Sequence, residues 1–153
     1  MKVLVTGSEG FIGSHLTEAL AESGADVRCL VLYNSFGSNG WLESLDEEVY
    51  RSLEIVKGDV RDSSLTDNLV KGVDDVFHLA RLLAVPYSYI AAESFIDTNV
   101  KGTLNVLNSC RRHETERVMV TSTSEVYGTA KYVPIDELHP RQGQSPYAAS
   151  KIS

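Results

Sequence analysis

The sequence has little cysteine, an excess of acidic over basic charge, and no long hydrophobic run. Its two cysteines, Cys29 and Cys110, form no CxxC pattern and have no histidine at metal-ligand spacing, so we expect reduced, buried thiols and no metal site. No apolar stretch approaches the roughly 20 residues that a membrane helix needs. The polar residues that follow MKVLVTG also argue against a signal-peptide core. These absences favour a cytoplasmic protein with no membrane partner.

Charge limits the kinds of partner further. The chain carries 14 Lys and Arg against 21 Asp and Glu, a formal net charge of −7. Nucleic-acid-binding domains usually present a basic face. The basic cluster at residues 111–113 is more typical of a helix C-terminus whose cations complement the helix dipole. We therefore expect no nucleic-acid partner.

Short apolar runs alternate with stretches of helical periodicity along the 153 residues. We predict strands at 3–5, 27–32, 53–56, 73–79 and 118–120, and helices starting at Phe11, near 65–70, over 91–112 and from Ser145. Residues 33–52 are predicted to be a long connection with room for one short helix. The length suits one domain, since single domains run about 100–200 residues.

This alternation predicts an α/β fold, a doubly wound parallel sheet of the Rossmann type. The strands are apolar throughout, which supports a parallel sheet, because a central parallel strand is covered on both faces. Ligands of such sheets bind at the carboxyl ends of the strands, where the strand order reverses. Residues with a chemical role are therefore expected at the strand ends.

Three glycines, Gly7, Gly10 and Gly13, follow the first strand at a spacing of three and three. Gly7 permits a tight turn, Gly10 lets the backbone approach a pyrophosphate, and Gly13 lets the helix pack closely on the strand. The helix N-terminus adds free N–H groups and the positive end of its dipole. The placement between a strand and a helix favours dinucleotide binding over a purely structural turn.

The second strand lacks the residue that usually chooses between NAD and NADP. Its end reads Val31-Leu32-Tyr33-Asn34, with neither an acid for the adenosine ribose nor an arginine for a 2′-phosphate. Asp59, just beyond the third strand, could hydrogen-bond an adenine amino group or cap a turn, and the spacing leaves both open. The choice between the two dinucleotides therefore stays open as well.

Tyr147 and Lys151 lie four residues apart and share one face of a predicted helix. An ammonium beside a phenol favours the phenolate, so Tyr147 could act as a general base, although a structural Tyr–Lys pair is the alternative. Upstream, the stretch TSTSEVYG at 121–128 brings hydroxyl groups to the end of the fifth strand. Together with the glycine turn, these features converge on one sheet edge, which favours a catalytic role.

The combined motifs resemble the extended short-chain dehydrogenase/reductase family of nucleotide-sugar epimerases and dehydratases. The motifs are TGxxGxxG from Thr6, GDV at 58–60, HLA at 78–80, TSTSEVYG at 121–128 and YxxxK from Tyr147, and the resemblance covers all 153 residues. Stretches such as DTNVKGTLNVL look most like the UDP-N-acetylglucosamine 4,6-dehydratases. GDP-mannose 4,6-dehydratases share the Thr-Ser-Glu element.

The resemblance implies NAD as the cofactor, with NADP left open. It implies that the backbone of the glycine turn surrounds the pyrophosphate, at Gly7, Gly10, Phe11, Ile12 and Gly13. It implies that adenine is contacted by Asp59 and Val60. It also implies that the ribose and nicotinamide are lined by Leu79, Ala80 and Asn99. Tyr147 and Lys151 are implied to contact the cofactor as well.

The reaction implied is the 4,6-dehydration of a nucleotide sugar, with UDP-N-acetylglucosamine as the expected substrate. Thr123 would hydrogen-bond the sugar 4-hydroxyl, Tyr147 would take its proton, and Lys151 would bind the ribose hydroxyls. Glu125 would take the proton from C5 before water leaves from C6. The chemistry supports this role of Glu125, since an elimination needs a base at C5 and a 4-epimerisation does not.

Three departures from the family pattern bear on these expectations. Ser124-Glu125 stands where many dTDP-glucose dehydratases have Asp-Glu, and Arg81 stands where the family usually has a small residue beside the cofactor. Family members are also roughly twice as long as this chain, in line with one or two added domain units. Residues 1–153 are therefore expected to form the NAD(P)-binding Rossmann domain, truncated before a substrate domain that is absent.

Two alternatives to the dehydratase follow. One is a nucleotide-sugar 4-epimerase of the same family, and the other is a truncated, non-catalytic dinucleotide-binding module. A homo-oligomer is expected in each case, because missing strands would leave an exposed sheet edge that invites pairing.

Overall fold

The computed structural model describes all 153 residues. In chain order the strands are β1 (Lys2–Thr6), β2 (Asp26–Leu32), β3 (Glu54–Gly58), β4 (Asp75–His78) and β5 (Arg117–Val120). The helices are α1 (Phe11–Glu22), α2 (Glu47–Ser52), α3 (Ser63–Val70), α4 (Val85–Ser88), α5 (Ala92–Phe95), α6 (Gly102–Arg112) and α7 (Pro146–Ile152). None of these helices is both long enough and apolar enough to cross a membrane.

The chain groups into two compact units, one of residues 1–80 with 102–121 and one of residues 81–101 with 122–153. The first unit contains all five strands in a single parallel sheet of order β3-β2-β1-β4-β5. The order reverses beside β1, where Thr6 pairs with Leu30 on one side and with His78 on the other. That all 153 residues form one dinucleotide-binding domain stays a prediction.

Both faces of the central sheet are buried, and β1 shows why the run Val3-Leu4-Val5 is continuously apolar. Leu4 packs on one face with Leu69 of α3 and Val106 of α6. Val3 and Val5 pack on the opposite face, where α1 covers the sheet. The middle of a strand covered on both faces favours apolar side chains at every position, so the alternation typical of a half-exposed strand is absent. The predicted Rossmann-type parallel sheet is confirmed.

β5 departs from this pattern, since all four of its residues are exposed. It lies at the edge of the sheet and pairs with β4. Its apolar side chains remain open to solvent, and Met119 is 57% exposed. The cover on both faces that is expected of a central parallel strand therefore does not extend to β5, which is an edge strand.

The second unit is helical, and α7 is its centre. This helix contacts α4, α5, the π-helical segment Ile96–Lys101 and the 3-10 turn Ser124–Val126. The helix predicted over 91–112 is present as three consecutive segments, of which the middle one is π-helical. The four residues of α4 are too few for a helical period to show in the sequence, so α4 is not among the predictions.

The two cysteines are free and buried, as predicted. Burial raises the pKa of the Cys29 thiol to about 11 and also raises the pKa of Cys110. We expect neither thiol of the native chain to react rapidly with a thiol reagent such as DTNB at pH 8, because the reactive thiolate is scarce and enclosed. Both should react at once in guanidinium chloride. A fast phase from one thiol in the native chain would contradict this expectation.

Candidate functional site

The glycine turn, residues 7–13, joins β1 to α1 and has no room for side chains at two of its positions. Gly7 has a φ of +71°, and a Cβ there would lie 2.8 Å from the Ala80 nitrogen. A Cβ on Gly13 would lie 2.1 Å from the Gly7 carbonyl oxygen. Gly10 differs, because its nearest neighbour would be that same oxygen at 3.4 Å. The turn is therefore closed on the protein side and open at Gly10, where a ligand can approach the backbone.

α1 begins at Phe11 without a side-chain cap. The amide of Ser14 is the first to donate within the helix, to the Gly10 carbonyl oxygen at 2.8 Å. The amides of Phe11, Ile12 and Gly13 precede it and have no intrahelical acceptor. These N–H groups and the positive end of the helix dipole suit a pyrophosphate. The residues present therefore fit the dinucleotide that the sequence implies.

Leu79 and Ala80 follow β4 and lie beside the glycine turn. The Leu79 amide donates to the Thr6 carbonyl oxygen, and the Ala80 amide donates to Thr6 Oγ1, both at 3.1 Å. The same Oγ1 lies 2.7 Å from His78 Nδ1. Thr6 thus fixes these two residues at the carboxyl end of the sheet, next to Gly7. Their predicted contact with the cofactor stays a prediction.

Asp59 is occupied by Arg61. The guanidinium donates to Asp59 Oδ2 at 2.6 and 2.9 Å, and the Arg61 amide donates to Oδ1 at 2.9 Å. These bonds hold the pKa of Asp59 below its ordinary value. Val60 is buried, and its carbonyl oxygen accepts from Asn105 Nδ2 at 3.0 Å. Asp59 therefore caps the turn, one of the two roles left open by its spacing, and the adenine contacts of both residues stay predictions.

Glu9 lies within the glycine turn, and the sequence predictions assign it no role. Its Oε1 accepts the amide of Leu32 at 3.1 Å, at the end of β2 where the sequence has no acid. Its carbonyl oxygen accepts the amide of Trp41 at 2.9 Å. An acidic residue among the glycines is the only signal in the sequence. Its partner is 23 residues away and becomes visible only when β1 and β2 pair.

In the second unit, Tyr147 lies in the first turn of α7. Its ring packs edge-on against Phe95 with centroids 6.2 Å apart, and the side chain is 1% exposed. Its Oη is enclosed and has no hydrogen-bond partner. Leaving a buried hydroxyl without a partner costs about 1–3 kcal/mol. Such unsatisfied groups are rare in folded proteins, and a catalytic role is one of the explanations for them.

Lys151 lies one turn further along α7, on the same face as Tyr147. Burial lowers the pKa of Lys151, and the positive charge of Arg81 lowers it further. Arg81, which stands where the family usually has a small residue, therefore lowers the pKa of Lys151 through its charge. A small uncharged residue would have no such effect.

Thr123 and Glu125 lie at the 3-10 turn Ser124–Val126, which contacts α7. Thr123 is the N-cap of this turn, and its Oγ1 accepts the amide of Glu125 at 3.3 Å. The Glu125 side chain is exposed. The turn that carries these two residues thus packs against the helix that carries Tyr147 and Lys151.

Asn99 lies in the π-helical segment and links it to α7. Its Nδ2 donates to Ser150 Oγ at 2.9 Å and to the Leu82 carbonyl oxygen at 3.1 Å, and its Oδ1 accepts the Leu82 amide at 2.9 Å. Ser150 Oγ in turn donates to the Tyr147 carbonyl oxygen at 2.7 Å. Asn99 therefore helps to position Tyr147, and its predicted cofactor contact stays a prediction. π-helical turns are frequent at functional sites.

Comparison with known proteins gives consistent matches over the whole chain. The family described as GDP-mannose 4,6 dehydratase matches residues 4–153. A dTDP-glucose 4,6-dehydratase of Actinoplanes is 36% identical over 156 residues, which cover 99% of this chain and 49% of the relative. The human UDP-glucose 4-epimerase is also 36% identical, over 99% of this chain and 46% of its own length.

Solved structures match equally well. A dTDP-glucose 4,6-dehydratase from Streptomyces venezuelae, solved with NAD bound, is 37% identical with a TM-score of 0.89 and covers 99% of this chain and 48% of its own. A UDP-N-acetylglucosamine 4-epimerase from Methanobrevibacter ruminantium is 33% identical with a TM-score of 0.88, over 99% of this chain and 47% of its own. The chain thus spans about half the length of the relatives it matches.

Proposed function

Because the chain belongs to the extended short-chain dehydrogenase/reductase family of NAD-dependent nucleotide-sugar epimerases and dehydratases, we propose that it takes part in the 4,6-dehydration of a nucleotide sugar. The substrate we propose is UDP-N-acetylglucosamine. The observation that carries the choice of dehydratase is Glu125, a carboxylate on the turn that contacts the helix of Tyr147 and Lys151. An elimination across C5 and C6 needs a base at C5, and Glu125 supplies one.

The chemistry that NAD would supply when bound is reversible hydride transfer, from C4 of the sugar and later to C6. Several solved relatives contain NAD, which supports this cofactor here. The uncapped amides at the start of α1 would hold its pyrophosphate, and the open side of Gly10 would admit it. Asp59 and Val60 would contact the adenine, and Leu79, Ala80 and Asn99 would lie along the ribose and nicotinamide.

Tyr147, Thr123 and Lys151 would act on the sugar 4-hydroxyl. Tyr147 would remove its proton, and no protein group hydrogen-bonds its buried Oη in competition with a substrate. Thr123 would orient the hydroxyl by a hydrogen bond. Lys151 would bind the nicotinamide ribose, and its ammonium would stabilise the phenolate of Tyr147.

Glu125 would complete the reaction at C5 and C6. Oxidation at C4 makes the C5 proton acidic, because the carbanion formed is conjugated with the new carbonyl group. Glu125 would take that proton, and the C6 hydroxyl would leave as water. One carboxylate would thus act as base at C5 and pass that proton to the leaving hydroxyl, and C5 would take a proton from solvent when the hydride returns to C6.

The alternative is a 4-epimerase, which the UDP-glucose 4-epimerases of 36% and 35% identity favour. The two reactions differ in what happens at C5. Incubation with NAD⁺ and UDP-N-acetylglucosamine in D₂O should give a 4-keto product that has lost water and carries deuterium at C5, as measured by mass spectrometry and NMR. The C4 epimer with no deuterium would establish the epimerase instead.

Glu125→Gln separates the steps of the proposed reaction. This isosteric change should preserve oxidation at C4 and stop the elimination, so the absorbance of the reduced nicotinamide should persist. Glu137→Gln, which removes an exposed carboxylate from the loop before α7, is the matched control and should behave like the unchanged chain. If the unchanged chain binds NAD⁺ but forms neither the 4-keto product nor the C4 epimer, the result would support the non-catalytic module.

We also propose self-association through β5. The exposed edge of the sheet and its exposed apolar side chains support this proposal. Light scattering tests it, and a monodisperse monomer at high concentration would contradict it.

A further inference from the structure

The end of β2 offers no carboxylate of its own to a ribose hydroxyl. β2 ends at Leu32, which is followed by Tyr33 and Asn34. The Asn34 amide is used locally, since its Nδ2 donates to the Ser38 carbonyl oxygen at 2.8 Å and its Oδ1 accepts the Ser38 amide at 3.2 Å. Dinucleotide-binding sheets that prefer NAD place an acid here to hold the adenosine 2′-hydroxyl. A carboxylate at this position must therefore come from elsewhere in the chain.

Glu9 brings a carboxylate to this position from the glycine turn. Its Oε1 accepts the Leu32 amide at 3.1 Å, so the carboxylate lies at the end of β2. The backbone of Glu9 is held as well, because its carbonyl oxygen accepts the Trp41 amide at 2.9 Å. Gly40 packs against the same residue so closely that a Cβ there would lie 3.0 Å from Glu9 Cβ. The placement of the carboxylate is thus determined by two loops and a strand end.

The second oxygen of this carboxylate, Oε2, is enclosed and has no hydrogen-bond partner. An acceptor that is withdrawn from water without a donor is destabilising. A sugar hydroxyl is a donor that would satisfy it, whereas a phosphate group at the same place would be repelled by its negative charge. Lys57, the one basic residue of β3, donates to the Gly37 carbonyl oxygen at 2.5 Å and is thus already engaged.

We propose that Glu9 replaces the missing acid of β2: its carboxylate accepts a hydrogen bond from the adenosine 2′-hydroxyl of the cofactor and selects NAD over NADP. This inference rests on the proposed function, because it needs a dinucleotide bound at the glycine turn. It assigns the selection to the turn after β1 and explains why β2 can end in Leu32 and Tyr33.

The test measures the affinities of NAD⁺, NADP⁺ and the 2′-deoxyadenosine analogue of NAD⁺ by isothermal titration. Trp41, the one tryptophan of the chain, packs edge-on against Phe11 at 5.6 Å and gives a second, fluorescent readout at the glycine turn. The unchanged chain should bind NAD⁺ at least tenfold more tightly than either of the other two, about the effect of one hydrogen bond to a charged group. Glu9→Gln should bind NAD⁺ about tenfold more weakly and lose most of the discrimination against NADP⁺.

Glu22→Gln, which removes the same charge from the exposed end of α1, should leave all three affinities unchanged. Thermal unfolding of each variant checks that the fold is retained. Equal affinity of the unchanged chain for NAD⁺ and its 2′-deoxy analogue would overturn the role of Glu9 and leave the proposed function standing. Failure of the unchanged chain to bind any dinucleotide would overturn both.

Discussion

Gly10→Ala is expected to weaken NAD⁺ binding by about tenfold to a hundredfold while the stability of the chain changes little. Gly10 has φ −75° and ψ 165°, which alanine adopts without strain. The added methyl group would meet only the Gly7 carbonyl oxygen at 3.4 Å, an ordinary contact. It would, however, occupy the side of the turn from which the pyrophosphate approaches, and losing a charged hydrogen bond costs about 1.5–3 kcal/mol. Isothermal titration and thermal unfolding measure the two effects separately.

Gly13→Ala is the matched comparison, because it adds the same methyl group one helical turn away. Here the Cβ would lie 2.1 Å from the Gly7 carbonyl oxygen and 2.8 Å from Ser8 Cα. α1 must move to accept it, so the free energy of unfolding should fall by about 1–3 kcal/mol. The two glycines thus have different roles, one toward the ligand and one toward the helix. Unchanged NAD⁺ affinity in Gly10→Ala would show that the turn does not hold the cofactor.

The sheet could be predicted from the sequence because its signals are local. The run Val3-Leu4-Val5 followed by Gly7 indicates a buried parallel strand before a tight turn, and the structure has both. β5 shows the limit of the same reasoning. Residues 118–120 have the same apolar pattern as the central strands, and only the order of the sheet puts them at an exposed edge.

Long-range contacts at the candidate site could not be predicted. The motifs around Tyr147 indicate which residue types are present, but its burial against Phe95 depends on how α5 and α7 pack. The π-helical segment around Asn99 escapes a search for a 3.6-residue period, because that search assumes one constant period and does not test for i→i+5 hydrogen bonds. Glu9 is similar, since its partner at Leu32 follows from the pairing of two strands. What the sequence lacks is the identity of partners that are distant along the chain.

Tyr147→Phe is expected to make the chain more stable and to stop the proposed reaction. The Oη that it removes is buried and has no hydrogen-bond partner, so no bond is lost and the cost of burying a bare hydroxyl disappears. The free energy of unfolding should rise by about 1 kcal/mol. Loss of the general base should lower the turnover of the proposed reaction by about a hundredfold or more. Chemical denaturation and product formation measure the two changes.

Tyr50→Phe is the control that separates the two effects, because its hydroxyl has a partner. Tyr50 Oη accepts from Asn39 Nδ2 at 2.6 Å. Its removal should therefore lower the free energy of unfolding by about 0.5–1.5 kcal/mol and leave turnover unchanged. If the free energy of unfolding rises in Tyr147→Phe and falls in Tyr50→Phe, the hydroxyl of Tyr147 destabilises the fold. This is expected for a group whose hydrogen-bond partner is the bound substrate. A loss of stability in Tyr147→Phe equal to that in Tyr50→Phe would contradict this role.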